Sequence, residues 1–167
     1  MKRCLPATAA CLIILFLGIA SLPFKSEAQV VKRLAHRTVF LERTSSENVD
    51  LGAPGPSAGD FRTTVGVVRA TQNGEVIGSY STSQHTLATG LDGGKERRSV
   101  MMEISIGKSD ITMLSAYDVP TGGPPAARVV HPIVGGTGDY LGANGSLTLV
   151  PIGTLGYRAV MRFVPRD

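Results

Sequence analysis

The 167-residue chain has no tryptophan, and its only two cysteines, Cys4 and Cys11, lie close to the N-terminus. Both fall in a stretch that reads as a secretory leader: Lys2 and Arg3, an apolar block over residues 9–20, then Ser26-Glu-Ala28 at a cleavage position. The block is about a dozen residues, short of the roughly 20 that a membrane-spanning helix needs. No later run is longer or more apolar, so stable membrane insertion is not expected. Cleavage near Ala28 would leave 139 residues without a thiol, which excludes disulfides, cysteine nucleophiles and thiolate metal sites. Charge of one sign is also scarce. The leader holds three Lys/Arg and one Glu, so the formal +4 of the whole chain falls to +2 without it. No basic stripe with interleaved aromatics remains, and nucleic acid is not an expected partner.

A sustained helical period is missing from residues 29–167, whereas alternation with period two recurs. Val100, Met102, Ile104 and Ile106 share one face of a strand, opposite Met101, Glu103 and Ser105. Tyr157, Ala159, Met161 and Phe163 likewise oppose Arg158 and Arg162. Turn signals separate such runs: Asn73-Gly74, read as the centre of a type I′ hairpin, then residues 90–94, 107–110, 120–125 and 153–156. The spacing predicts eight strands, near 34–43, 60–71, 75–87, 97–106, 110–118, 128–134, 145–152 and 155–164. The fold class expected is all-β, an eight-stranded antiparallel up-and-down barrel in a single domain over 29–167, with a two-sheet sandwich as the alternative. Such a barrel is filled by side chains or holds one small ligand. Residues 44–59 lack periodicity and are expected to form a long mobile loop, placed to act as a lid if it lies at a barrel mouth.

The run Val134-Gly-Gly-Thr-Gly-Asp-Tyr-Leu-Gly-Ala-Asn-Gly145 raises the question of phosphate binding. A dinucleotide fingerprint needs a third glycine three residues after Gly138, where Leu141 stands, and a helix where Ser146–Val150 alternates like a strand. Gly107-Lys-Ser109 fails as a P-loop because Met102 occupies the first glycine position. The glycines are expected to turn a tight corner between strands, with Asp139 and Tyr140 closing it. No Gly-x-Ser-x-Gly elbow is present for a serine hydrolase. Asn144-Gly-Ser146 fits the N-glycosylation pattern, which matters only in a cell with that machinery.

The order of these features resembles the dirigent and allene oxide cyclase superfamily. Gly59-Asp60-Phe61 leads into a strand, Asn73-Gly74 turns it, and Gly78 and Tyr80 follow; the Gly-Gly-Thr-Gly-x-aromatic-x-Gly-Ala-x-Gly run precedes two closing strands. The likeness spans roughly residues 34–165. It implies an eight-stranded barrel, often trimeric, with an apolar cavity, so a homotrimer and a small apolar or phenolic ligand are the partners it suggests. It also implies cofactor-free chemistry, either isomerisation or stereo-direction of a reactive intermediate by confinement, where holding a reactive conformer can remove about 7–11 kcal/mol of barrier.

In that setting Glu42, His85 and Tyr117 are the candidate catalytic residues. Glu42 is the counterpart of a carboxylate that the cyclase branch carries in its first strand. His85 is an acid-base candidate at a strand end, and Tyr117 a hydroxyl donor. Asp60, Tyr80, Met102 and Met113 are the candidate ligand-binding residues, although an Asp at a turn more often bonds its own backbone. His36, His85 and His131 sit on or near different strands without the spacing of a metal site, and no metal or cofactor is expected. The binding reading, without turnover, stands ahead of the catalytic one.

Overall fold

A computed structural model describes residues 34–125, 127–154 and 156–164; the expected leader lies outside them. Eight antiparallel strands close into a barrel in simple sequence order: β1 (Ala35–Val49), β2 (Phe61–Arg69), β3 (Val76–Leu91), β4 (Lys95–Ile106), β5 (Ser109–Pro120), β6 (Val129–Gly136), β7 (Asn144–Ile152) and β8 (Gly156–Val164). Strand β1 pairs with both β2 and β8, so no edge is left to template aggregation.

The period-two patterns translate directly into an inner and an outer wall. On β4 Val100, Met102 and Ile104 are buried while Met101 and Glu103 are exposed; on β8 Ala159, Met161 and Phe163 are buried while Arg158 and Arg162 are exposed. The β2–β3, β4–β5 and β6–β7 connections lie at one end of the barrel, and the other four at the opposite end, called here the mouth. Val39, Val68, Ile104, Ile111, Met113, Ile133, Leu147, Met161 and Phe163 fill the half away from the mouth. Each such burial is worth about 1.5–3 kcal/mol, so this half supplies much of the barrel's stability.

The glycine-rich run closes that packed end. Gly138 adopts φ +54°, a left-handed conformation open to glycine, and begins a 3-10 turn, Gly138–Tyr140. Tyr140 turns inward, is buried, and packs edge-on against Phe163 with ring centroids 5.5 Å apart. The Arg37 guanidinium donates to its hydroxyl.

Two local expectations are corrected. The β2–β3 connection is not a type I′ hairpin centred on Asn73-Gly74, since no non-glycine residue among those described has positive φ. The turn runs instead from Thr71 to Gly74, whose N–H donates to the Thr71 carbonyl at 3.1 Å, and Ala70 N–H donates to Glu75 O one step outside it. Asn73 thus occupies an ordinary turn position within a longer connection. The segment from residue 44 is not loop at its start: β1 shifts register between Arg43 and Ser45 and continues along β2 to Val49. Residues 44–49 are exposed, which is why the sequence carries no apolar alternation there.

Candidate functional site

Toward the mouth the inner wall changes character. The same alternation that buries Val100 and Met102 carries Arg98 and Glu96 inward; β2 likewise turns Arg62 and Thr64 in, and β3 turns in Tyr80, Thr82 and Gln84. All of these except Glu96, with Arg43, Tyr117, His131, Leu149 and Tyr157, surround a cavity of ≈ 70 Å³, counted as space open to the centres of water-sized spheres. On that measure a water needs about 10–15 Å³, so the space takes several waters or part of a small ligand. It shares Arg62, Gln84 and Arg98 with a wider recess of ≈ 270 Å³ bounded by Asn48, Asp50, Pro56 and Phe61. The two arginines therefore stand between the recess and the interior.

Three tyrosines dominate the lining. Tyr80 lies over Gly66, its direct partner on β2, in space that a Cβ at that position would occupy. Burial pushes the Tyr80 and Tyr117 hydroxyls up to about 12, and raises that of Tyr157 as well, so all three are neutral donors at physiological pH.

His131 is 1 % exposed, and its Nδ1 lies 2.5 Å from the Ser115 hydroxyl, while Nε2 has no hydrogen-bond partner among the described residues. Burial lowers its pKa to about 4, which makes it a neutral imidazole. The Tyr117 ring meets it edge-on, with centroids 5.3 Å apart. A buried pair completes the wall: Arg98 Nε donates to Glu96 Oε1 at 2.6 Å, and Arg98 Nη1 to Gln84 Oε1 at 3.2 Å.

The residues singled out from sequence divide. Tyr80, Met102 and Tyr117 line the cavity together. Met113 is buried in the packed half and is not among the lining residues. Glu42 sits on the outer wall, half exposed, bonded to Arg69 at 2.6 Å. His85 is also on the outer wall, its ring tilted against that of Phe61 with centroids 4.6 Å apart. Asp60 is committed to the β1–β2 loop: its carboxylate accepts from Leu51 N–H at 3.1 Å, Ser57 N–H at 2.7 Å and the Ser57 hydroxyl at 3.0 Å. The two backbone bonds hold its pKa below the usual carboxylate value. His36 is exposed on the outer wall, so the three histidines do not converge.

Sequence reasoning passed over Arg62, Glu96, Arg98 and His131 as site residues. The signal was parity. Glu96 and Arg98 are in phase with Val100, and His131 with Ile133, whereas His85 is out of phase with Tyr80.

Solved structures share this architecture. A pyocyanin demethylase superposes with a TM-score of 0.62 at 19% identity, covering 77% of this chain and 99% of its own. The fold is that of the dirigent-type barrels. A pterocarpan synthase dirigent protein matches with a TM-score of 0.57 at 13% identity, over 81% of this chain and 89% of its own. The Diels Alderase AbmU from Streptomyces koyangensis matches at 0.62 and 14%, over 84% and 72%. No protein-family model matches the chain, and no curated protein matches it by sequence. Dirigent-type barrels thus include enzymes of quite different reactions, and the fold does not choose among them.

Proposed function

We propose that the chain is a small-molecule-binding barrel whose ligand, apolar or aromatic in body, occupies the mouth half. One observation carries the reading: Tyr80, Tyr117 and Tyr157 surround open space beside Met102 and Leu149, while the other half of the barrel is filled by side chains. Tyrosines offer flat apolar area with a hydroxyl at the edge, which suits a phenolic or carbonyl-bearing guest. Binding without turnover is the first reading. In the second, confinement of a reactive ligand makes the barrel a cofactor-free isomerase or stereo-directing protein. The unpartnered Nε2 of His131 favours it, because a neutral imidazole accepts or passes on a proton. With Glu42 and His85 on the outer wall, acid-base work in this second reading falls to His131 and Tyr117.

Export after removal of residues 1–28 belongs to the same proposal and is supported by the sequence pattern alone. So does assembly into a homotrimer, supported by the resemblance and by the exposed apolar pair Met101 and Leu114, which face each other across β4 and β5 on the outer wall.

The test is thermal shift and native mass of the purified protein against phenolic, aromatic and aliphatic small molecules. A ligand at 100 times its Kd stabilises by about 2.7 kcal/mol, a shift of several degrees. Stabilisation that saturates and disappears in Thr82→Phe, which fills the cavity, supports the reading. A panel with no stabilising member overturns it.

A further inference from the structure

Charge around the cavity does not balance. Arg43, Arg62 and Arg98 line the cavity from β1, β2 and β4, with no carboxylate among its lining residues; Glu96 faces the adjoining recess, as do Asp50 and Asp60, whose carboxylates accept backbone N–H bonds within the β1–β2 loop. Glu96 is engaged by Arg98, and both are nearly inaccessible, 2 % and 3 % exposed. Arg62 is served by neutral acceptors: its Nη2 donates to the Gly122 carbonyl at 3.1 Å and its Nε to the Asn48 side-chain oxygen. Neither Arg62 nor Arg43 forms an ion pair among the described residues. The remaining polar groups of the lining, Ser46, Thr64, Thr82, Gln84, the three tyrosines and His131, are uncharged at pH 7. With Arg98 offset by Glu96, the cavity lining is left with a surplus of two positive charges, Arg43 and Arg62, while Asp50 and Asp60 line the recess and not the cavity.

Partly desolvated guanidinium groups close to one another are unfavourable without a counter-charge. Burial lowers the Arg62 pKa, repulsion from Arg98 and then Arg43 adds to the effect, and Glu96 opposes it in part. A guanidinium matches a carboxylate bidentately, and such charge-assisted bonds gain strength where water is excluded.

We infer that the natural ligand is a small organic anion, a carboxylate or an enolate of similar oxygen geometry, with its charged end at Arg62 and Arg98 and its apolar or aromatic body among Tyr80, Tyr117 and Tyr157. This rests on the reading that the cavity binds small molecules, and names the chemistry of what it binds. The side chains also set an orientation: the charged end points to the recess and the apolar end toward Met102 and Leu149.

The experiment compares aromatic carboxylates with their methyl esters by calorimetric titration of the purified protein at pH 7, where the acids are ionised. One net charge-assisted contact predicts that each acid binds roughly tenfold to a hundredfold more tightly than its ester. In Arg62→Gln, checked for native circular dichroism, that preference shrinks while ester affinity changes little; Arg158→Gln, on the outer wall, leaves it intact. Raising salt weakens the acids and not the esters. Esters binding as well as acids would overturn this inference and leave the cavity reading standing. Neither acids nor esters binding would overturn both.

Discussion

Glu96 and Arg98, two residues apart on β4, turn to the same side of the strand and pair inside the barrel, Nε to Oε1 at 2.6 Å. Removing one partner strands the other in a desolvated wall. Arg98→Met is expected to cost about 3–5 kcal/mol, and Glu96→Gln with Arg98→Met to recover much of it, since the residual cost of an uncompensated buried charge is gone. Urea denaturation of the single and double variants measures the difference. Equal stability of the two would mean that the pair is solvated.

His131 gives a pH signature. Its folded pKa of about 4 lies below the unfolded value near 6.5, so the unfolded chain binds the extra proton. Its contribution is fully present above pH 6.5 and is lost as pH falls toward 4, on the order of 3 kcal/mol in all. His131→Gln should flatten the stability profile between pH 7 and 4 relative to wild type, as read by denaturation at each pH. Parallel profiles would show that the imidazole is not buried neutral.

On the outer wall the expectation is the reverse. Glu42 pairs with Arg69 at half exposure, and exposed pairs contribute about 0–1 kcal/mol. Glu42→Gln should leave ligand affinity unchanged and shift stability by less than about 1 kcal/mol. A large loss of ligand binding or turnover in this variant would place Glu42 in the chemistry after all.

Asp60 organises the rim. Asp60→Ala removes the acceptor for Leu51 N–H, Ser57 N–H and the Ser57 hydroxyl, so the 50–60 loop should become more susceptible to limited proteolysis. Because its folded pKa is depressed, the carboxylate's contribution is present above its unfolded value and fades as pH falls through the folded one. Unchanged cleavage at pH 7 would show the loop to be held by other contacts.

Gly66 is the seat of Tyr80. Gly66→Val should press on the Glu42 carbonyl of β1 as well as displace the ring, costing at least the ~1–3 kcal/mol of ordinary overpacking and distorting the cavity. Chemical denaturation together with ligand titration reads both effects.

How much of this was legible in the sequence follows from where the physics is local. Alternation in Val100–Ile106 and Tyr157–Phe163, with glycine-marked turns, was enough to place eight strands, because a one-sided wall imposes period two whatever lies inside. The turn at Thr71–Gly74 was misjudged because dipeptide propensity says nothing about the length of connection that the flanking pairing leaves. At the mouth, polar residues occupy the inward positions, so hydrophobicity stops reporting direction. Glu96, Arg98 and Arg62 then look like solvent-facing charges, and only their phase with Val100 and Val68 reveals the inner wall. His85 attracted attention for its residue type, although its phase with exposed Ser81 placed it outside.

The chain has four tyrosines, of which Tyr80, Tyr117 and Tyr157 line the cavity while Tyr140 closes the packed end. Nuclear magnetic resonance of protein carrying isotope-labelled tyrosine rings, titrated with an aromatic carboxylate, therefore tests the cavity reading at its centre. Saturable shifts of Tyr80, Tyr117 and Tyr157 with Tyr140 unmoved are the predicted result; shifts confined to Tyr140, or none across the ligand panel, would contradict it.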